Sequence, residues 1–323
     1  MKKSAIILTA LLAILLSGCT TPGVRYTQNL FEHIPDDPEF LALVNPNDIS
    51  TLMELAVREL NFQELFQGKF EVDVKDLDHY TTVAIEMFDA LGIPVESVES
   101  VGVLLYFKKP VFLLSGAFTK DGVESKLTEI GYKRREDGFF DYVYNDQKLS
   151  IPADGVMMMA NPELLSELRD LPKENRLWDR DDFTEYRKTS PLNNSVFIWG
   201  KPPTSFMPDF PYKDDLGDVS LAIKFGRTIT VQGVVRIKDP EKAVYLHDIL
   251  VGAVSLGKGL FGSDQDYGAV FNGIRVTQNN KQVTASLVVP ADKVLALKER
   301  VKNDFINNET STFDKFEKFM SNF

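Results

Sequence analysis

The sequence predicts an α+β protein of two related modules, each of order β-β-α-β-β-α, with antiparallel sheets covered by helices mainly on one face. Three observations predict it. Apolar runs of strand length occur in pairs across short breaks, and each pair is followed by a stretch of helical periodicity. The first pair with its helix also superimposes without gaps on a second such unit at an offset of 118 residues. Hairpin-joined antiparallel strands bury one face and leave helices to cover it, which sets the class.

From the amino end, residues 20–37 hold Thr, Pro, Gly and Asn with little periodicity, and Pro35-Asp36-Asp37-Pro38 breaks the chain. Residues 19–38 are therefore expected to form a tether that holds the body off a surface. Glu39 to Val44 reads as a strand, and Asn45-Pro46-Asn47-Asp48 offers a helix start, with Ile49, Leu52, Met53, Leu55 and Ala56 following at helical spacing. A second helix is expected over Val74 to Leu91, ended by Gly92-Ile93-Pro94. Val101 to Phe107 and Val111 to Phe118 are two strands around the break Lys108-Lys109-Pro110, and Asp121 to Ile130 is a helix with Val123, Leu127 and Ile130 on one side. Strands at Phe139 to Tyr144, Gln147 to Ile151 and Val156 to Met159 follow, then Asn161-Pro162 opens a helix to Leu171. These elements make residues 39–171 the first module.

Pro172, the acidic run Asp179 to Asp182 and Asn193-Asn194 mark 172–194 as a linker. The second module, 195–303, holds strands at Val219 to Phe225 and Ile229 to Ile237, then Asp239-Pro240 opening a strongly apolar helix. Strands at Ile274 to Gln278 and Gln282 to Val289 complete it, with a helix from Pro290 to about Val301. The proposed repeat pairs Val101 with Val219, Phe107 with Phe225 and Lys120-Asp121 with Lys238-Asp239, four identities in 21 positions.

Two segments are candidate partner surfaces, with packing against the protein's own core as the commoner role for such segments. Pro202 to Pro211 carries Phe206, Met207 and Phe210 among four prolines, a long apolar loop of the kind that often contacts a partner. Phe313, Phe316, Met320 and Phe323 fall near helical spacing in the tail 304–323, giving an amphipathic segment suited to a groove.

The amino terminus carries the most specific signal. Met1-Lys2-Lys3 is a basic start, Ala5 to Leu16 is an apolar run, and Leu16-Ser17-Gly18-Cys19 ends it at the only cysteine of 323 residues. These residues resemble a bacterial lipoprotein signal peptide, with residues 1–18 as the leader. The resemblance implies cleavage between Gly18 and Cys19, a diacylglycerol on the Cys19 thiol and an acylated new amino group, so that several acyl chains hold the protein stably on a membrane. Thr20 in place of an aspartate after the cysteine implies the outer membrane, facing the periplasm. In a source with a single membrane, the resemblance implies the outer face of the plasma membrane.

Loss of Lys2 and Lys3 with the leader takes the basic count from 36 to 34 against 47 acidic residues, a formal charge of −13. This balance excludes nucleic acid as a partner, since the densest basic cluster, Lys133-Arg134-Arg135, is followed directly by Glu136 and Asp137. With Cys19 consumed by lipid, no thiol remains for a disulfide, a nucleophile or a thiolate metal site.

The remaining candidate chemistry is weak, and no cofactor or metal is expected. Gly257-Lys258-Gly259-Leu260-Phe261-Gly262 matches a dinucleotide string but follows a helix rather than a strand. His33, His79 and His247 are isolated, and His247-Asp248 lacks a nucleophile motif beside it. Asp264-Gln265-Asp266 begins like a calcium loop, but Ala269 and Arg275 stand where the glycine and glutamate belong. Met157-Met158-Met159 alternates along a strand and cannot converge on one soft metal. The function expected is a non-enzymatic, lipid-anchored cell-envelope protein that binds a protein partner or serves envelope organisation. A carrier for an apolar ligand, motivated by 23 phenylalanines, is the alternative, and an envelope hydrolase the third reading.

Overall fold

A computed structural model of the chain describes residues 25–48, 88–141, 147–189, 194–201 and 213–294, with 296, 297 and 300. The fold mixes helices with antiparallel sheet, and the chain divides into two compact units, Met1–Phe225 and Gly226–Phe323.

The first unit contains α1 (Arg25–Phe31), β1 (Phe40–Val44), β2 (Val98–Tyr106), β3 (Lys109–Gly116), α2 (Lys120–Glu129), β4 (Phe140–Asp141), β5 (Lys148–Ala153), β6 (Val156–Ala160), α3 (Pro162–Arg169), α4 (Asp181–Thr189), β7 (Val196–Gly200) and β8 (Leu216–Lys224). Its strands lie in the order β8-β7-β1-β2-β3-β6-β5-β4, every neighbour antiparallel. The short strand β1 sits inside the sheet, pairing Phe40 with Leu105 on one side and with Gly200 on the other. Glycines permit that approach. A Cβ on Gly102 would strike the Ala42 carbonyl oxygen and the Leu43 side chain, and one on Gly200 would strike the Glu39 carbonyl oxygen.

Helices lie on both faces of this sheet, where the sequence suggested mainly one. The long buried runs of β2, β3 and β6 require cover on both sides. On one face, Val123 and Leu127 of α2 pack with Val101, Leu114, Leu149, Ile151 and Met157. On the other, Phe31 of α1 and Phe183 and Tyr186 of α4 meet Phe197 and Trp199 of β7, with ring centroids 5.0 to 6.4 Å apart. Each fully buried ring or leucine here contributes about 1.5–3 kcal/mol by leaving water.

Two segments read as connectors are part of this core. Residues 25–38 of the expected tether contribute α1, with Leu30 and Ile34 fully buried and Phe31 nearly so. The Thr27 backbone N–H and hydroxyl donate to the buried Glu99 carboxylate at 2.8 and 3.3 Å, while Ser100 and Ser115 complete the polar contact. A carboxylate at the first turn meets N–H groups that the helix leaves unpaired and suits its positive end. The expected linker 172–194 supplies Leu177, Phe183 and Tyr186 to the interior and is tied to residues 32–36 through Arg176 to the Glu32 carbonyl, Arg180 to the Asp36 carbonyl and the Leu177 N–H to the Ile34 carbonyl. Arg180 also pairs with Asp182 and Asp218 and stacks on Trp199.

Capping follows the sequence closely. Thr119 accepts the Gly122 N–H at the start of α2, Asn161 accepts the Glu163 N–H before Pro162, and Asn45 accepts the N–H groups of Asn47 and Asp48. The helices expected over 49–56 and 74–91 lie outside the described residues, apart from 88–91. The β2–β3 turn begins one position earlier and is one residue shorter than expected: Phe107 and Lys108 form it with φ of 48° and 58°, so Lys109 and Pro110 belong to β3. Positive φ at both turn residues matches the strand twist.

The second unit holds β9 (Thr228–Ile237), α5 (Pro240–Phe261), α6 (Tyr267–Gly273), β10 (Ile274–Asn279) and β11 (Gln282–Pro290). Its strands run in the order β10-β11-β9, antiparallel, and α5 packs on all three and on α6. The sequence did not anticipate α6.

Replacing Gly102 with alanine should lower unfolding stability by about 1–3 kcal/mol, the usual cost of overpacking. Gly233→Ala, whose Cβ finds its nearest neighbour 4.0 Å away, should be close to neutral; urea titration compares the two. His33 provides a pH signature. Burial, followed by Arg176 and Lys120, lowers its pKa from 6.5 to about 4. The unfolded chain therefore takes up this proton before the folded one, so stability present above pH 6.5 should fall as pH drops toward about 4. His33→Gln should remove about 1–3 kcal/mol of that acid loss, read as the difference between the two proteins' pH–stability curves.

Candidate functional site

The surface most unlike an ordinary protein exterior is α5. Asp239 accepts the Glu241 N–H at 2.9 Å and Pro240 takes the first helical position, so the start is strongly specified and the helix runs 22 residues. One stripe faces the second unit: Ala243, Leu246 and Gly257 are buried, and Leu250, Val254 and Phe261 half-buried. Gly257 is required there, because a Cβ would run into the Phe271 ring, which stacks on Phe261 with centroids 5.4 Å apart.

The flanks of this stripe are also apolar. Val244, Tyr245, Ile249, Val251, Leu256 and Leu260 are 38–55% exposed. Tyr245, Ile249, Leu256 and Leu260 fall within about 60° of one another at 100° per residue. No charged residue lies between Ile249 and Gly257. By length and composition α5 could cross a bilayer, and a helix apolar on both sides is normally enclosed by protein or lipid. The sequence marked this helix as strongly apolar and assigned it a covering role; its outer face was missed because core and lipid-facing helices share that composition.

The sequence's chemical candidates resolve into structural contacts. The Asp264 carboxylate accepts the N–H groups of Asp266 and Tyr267 at 2.9 and 3.0 Å and both its oxygens meet Arg300, so it caps α6. The Asp266 N–H first, and Arg300 among its other partners, hold the Asp264 carboxyl below its ordinary value. Lys293 lies 3.4 Å from Asp266, and this acidic pair thus faces basic side chains. In the glycine string, Gly257 seats Phe271, Gly259 faces open space, and Gly262 closes the end of α5 by donating to the Lys258 carbonyl at 2.8 Å. Met157 packs in the α2-facing core while Met158 points to the other face. The His247 Nδ1 lies 3.0 Å from the carboxylate of its neighbour Asp248 on α5.

The structure also assembles Ser195, Asp48 and Lys224, which no motif announced. The Ser195 hydroxyl donates to Asp48 at 2.9 Å and accepts the Phe225 N–H at 2.8 Å, while Lys224 donates to the same carboxylate at 2.6 Å. Ser195 is fully buried and its hydroxyl is engaged on both sides, so the trio locks the end of β1 to β7 and β8 rather than presenting a nucleophile. Among the described residues, no three His, Cys, Asp or Glu side chains group as a metal site. Gly18 and Cys19, His79, the loop residues Phe206, Met207 and Phe210, and the tail residues Phe313, Phe316, Met320 and Phe323 all lie outside the described residues.

No protein-family model matches the chain, and no curated protein matches its sequence. Solved structures of TP0453 resemble it weakly. Crystal form III is 10% identical with a TM-score of 0.40, over 82% of this chain and 96% of that one. Crystal form I is 10% identical with a TM-score of 0.39, over 84% and 97%. A likeness at this level says nothing about activity, and the surface of α5 stands on this chain's own residues.

Proposed function

We propose that the protein is a non-enzymatic, lipid-anchored component of the cell envelope that holds a folded binding body close against a membrane and engages a protein partner there or serves envelope organisation. The observation that carries this reading is the place of α1. Its residues Thr27, Leu30 and Phe31 are buried in the first unit, and only five residues separate Cys19 from Arg25. Six residue steps reach about 20 Å at full extension, so lipid on Cys19 leaves the body little room to leave the bilayer. Thr20 favours the outer membrane, facing the periplasm. The absence of a thiol beyond Cys19 and the structural roles of Ser195 and Asp264 agree with a binding role.

The two halves are further read as related modules of order β-β-α-β-β-α. Strands β2 and β8 support this, since both have nine residues and their first residues, Val98 and Leu216, stand 118 positions apart. The helix that follows each hairpin opens at Lys120 in one half and Pro240 in the other.

Cys19→Ser should move the protein from the membrane to the soluble fraction of cells. Metabolic labelling with a fatty-acid analogue should mark the original chain and not the variant; retention of label by the variant would sink the anchor. Crosslinking on native membranes should recover one defined protein partner with the anchored chain, and recovery of none above background would count against partner binding.

A further inference from the structure

We propose that α5 is a second, reversible membrane contact: it lies along the lipid interface with Tyr245, Ile249, Leu256 and Leu260 in the boundary between headgroups and acyl chains. The proposal rests on the reading of a body anchored at Cys19 and names the surface that body presents to lipid.

Four observations select a bilayer as the occupant of this face. The exposed stripe is chemically plain, with large apolar groups and the small residues Gly252, Ser255 and Gly259 beside them, and no ladder of polar groups to match in a partner. Gly252 and Gly259 have open space where a Cβ would stand. The charges of α5, Glu241 and Asp248 against Lys242 and Lys258, cancel, although the chain from Cys19 carries 34 basic against 47 acidic residues, so this helix adds no net anionic repulsion. The length of chain before α1 gives the fourth: only residues 20–24 lie between Cys19 and α1, which keeps the first unit, and with it the chain that carries α5, within reach of the membrane the proposed anchor enters.

The contact is interfacial. Ala243, Leu246 and Gly257 bind the helix to its own unit, so α5 lies on the bilayer with one stripe in protein and a flanking stripe in lipid. Helices of this kind bury their apolar face about 5–10 Å deep. Because the face lacks a basic cluster, attraction is hydrophobic, and salt should leave it intact.

The test uses the chain from residue 19 with Cys19→Ser, which keeps every described residue and removes the anchor, together with vesicles of zwitterionic phosphatidylcholine. This protein should co-float with the vesicles equally at about 0.1 M and about 1 M salt, conditions over which the Debye length falls from about 10 Å to about 3 Å. Ile249→Glu, Leu256→Glu and Leu260→Glu should each weaken partitioning about tenfold or more, the value of one buried aliphatic side chain. Ile130→Glu, at an exposed apolar position of the first unit, should leave it unchanged. Circular dichroism and thermal melts confirm that each variant is folded. Since Cys19 is the sole cysteine, Leu256→Cys in this background takes a single environment-sensitive fluorophore, whose emission should shift to the blue on vesicles.

Failure to float, or flotation that the α5 variants do not weaken, overturns the proposal. So does concentration-dependent self-association abolished by the same variants without vesicle binding, which assigns the face to a second copy. If flotation fails while the original lipidated chain stays in the membrane fraction, α5 is wrong and the anchor stands; flotation with no fatty-acid labelling of Cys19 gives the reverse.

Discussion

The first unit depends on a five-residue strand with two partners. β1 places Phe40–Val44 between β2 and β7, and without it the hairpin sheet of residues 98–160 has no connection to β7 and β8. The constraint is steric before it is energetic, because Gly102 and Gly200 leave just the room that the β1 backbone needs. Everything around β1 secures its two ends. Asn45 turns the chain and Asn47 donates to the Val98 carbonyl, while Asp48 gathers Ser195 and Lys224. At the other end, Glu39 donates its N–H to Leu105 and accepts that of Lys201. Val44 and its partner Val196 are 152 positions apart, so this pairing closes late and gives the unit a strongly non-local topology, a feature of slowly folding sheets.

Much of the local structure was legible. Strand pairs betrayed themselves by apolar runs, and Asn161-Pro162 and Asp239-Pro240 marked helix starts because a side-chain acceptor and a fixed φ are local properties. What escaped was written across distance. Thr27 is tied to Glu99, 72 positions away, and nothing beside Thr27 announces that carboxylate. Leu30, Phe31 and Ile34 were already at helical spacing, and that signal was lost against the prolines that follow. The run Asp179 to Asp182 read as solvated linker, yet Phe183 and Tyr186, one turn apart, were the more telling residues once Trp199 supplied the surface they cover. Phe107 and Lys108 carry a turn conformation that glycine or asparagine would have advertised.

The surface of α5 was hidden for a different reason. Composition reports that a helix avoids water but not which neighbour replaces the water, and only packing shows which apolar residues of this helix are buried and which stay half-exposed. The polar strings that attracted attention carry less: Asp264 is spent on capping α6 and on Arg300, and the glycines of 257–262 on ring packing and the helix end.

The lipid proposed on Cys19, taken with the buried α1, would have a consequence for affinity. A body held on a leash of about 20 Å samples a thin layer above the lipid, where its effective concentration relative to the membrane is in the millimolar range. Contacts that hold only part of a population in free solution would then be occupied most of the time. On such a surface orientation and exchange rate matter more than strength, so a modest patch of exposed leucine and isoleucine would suffice to decide which side of the molecule is turned toward the lipid.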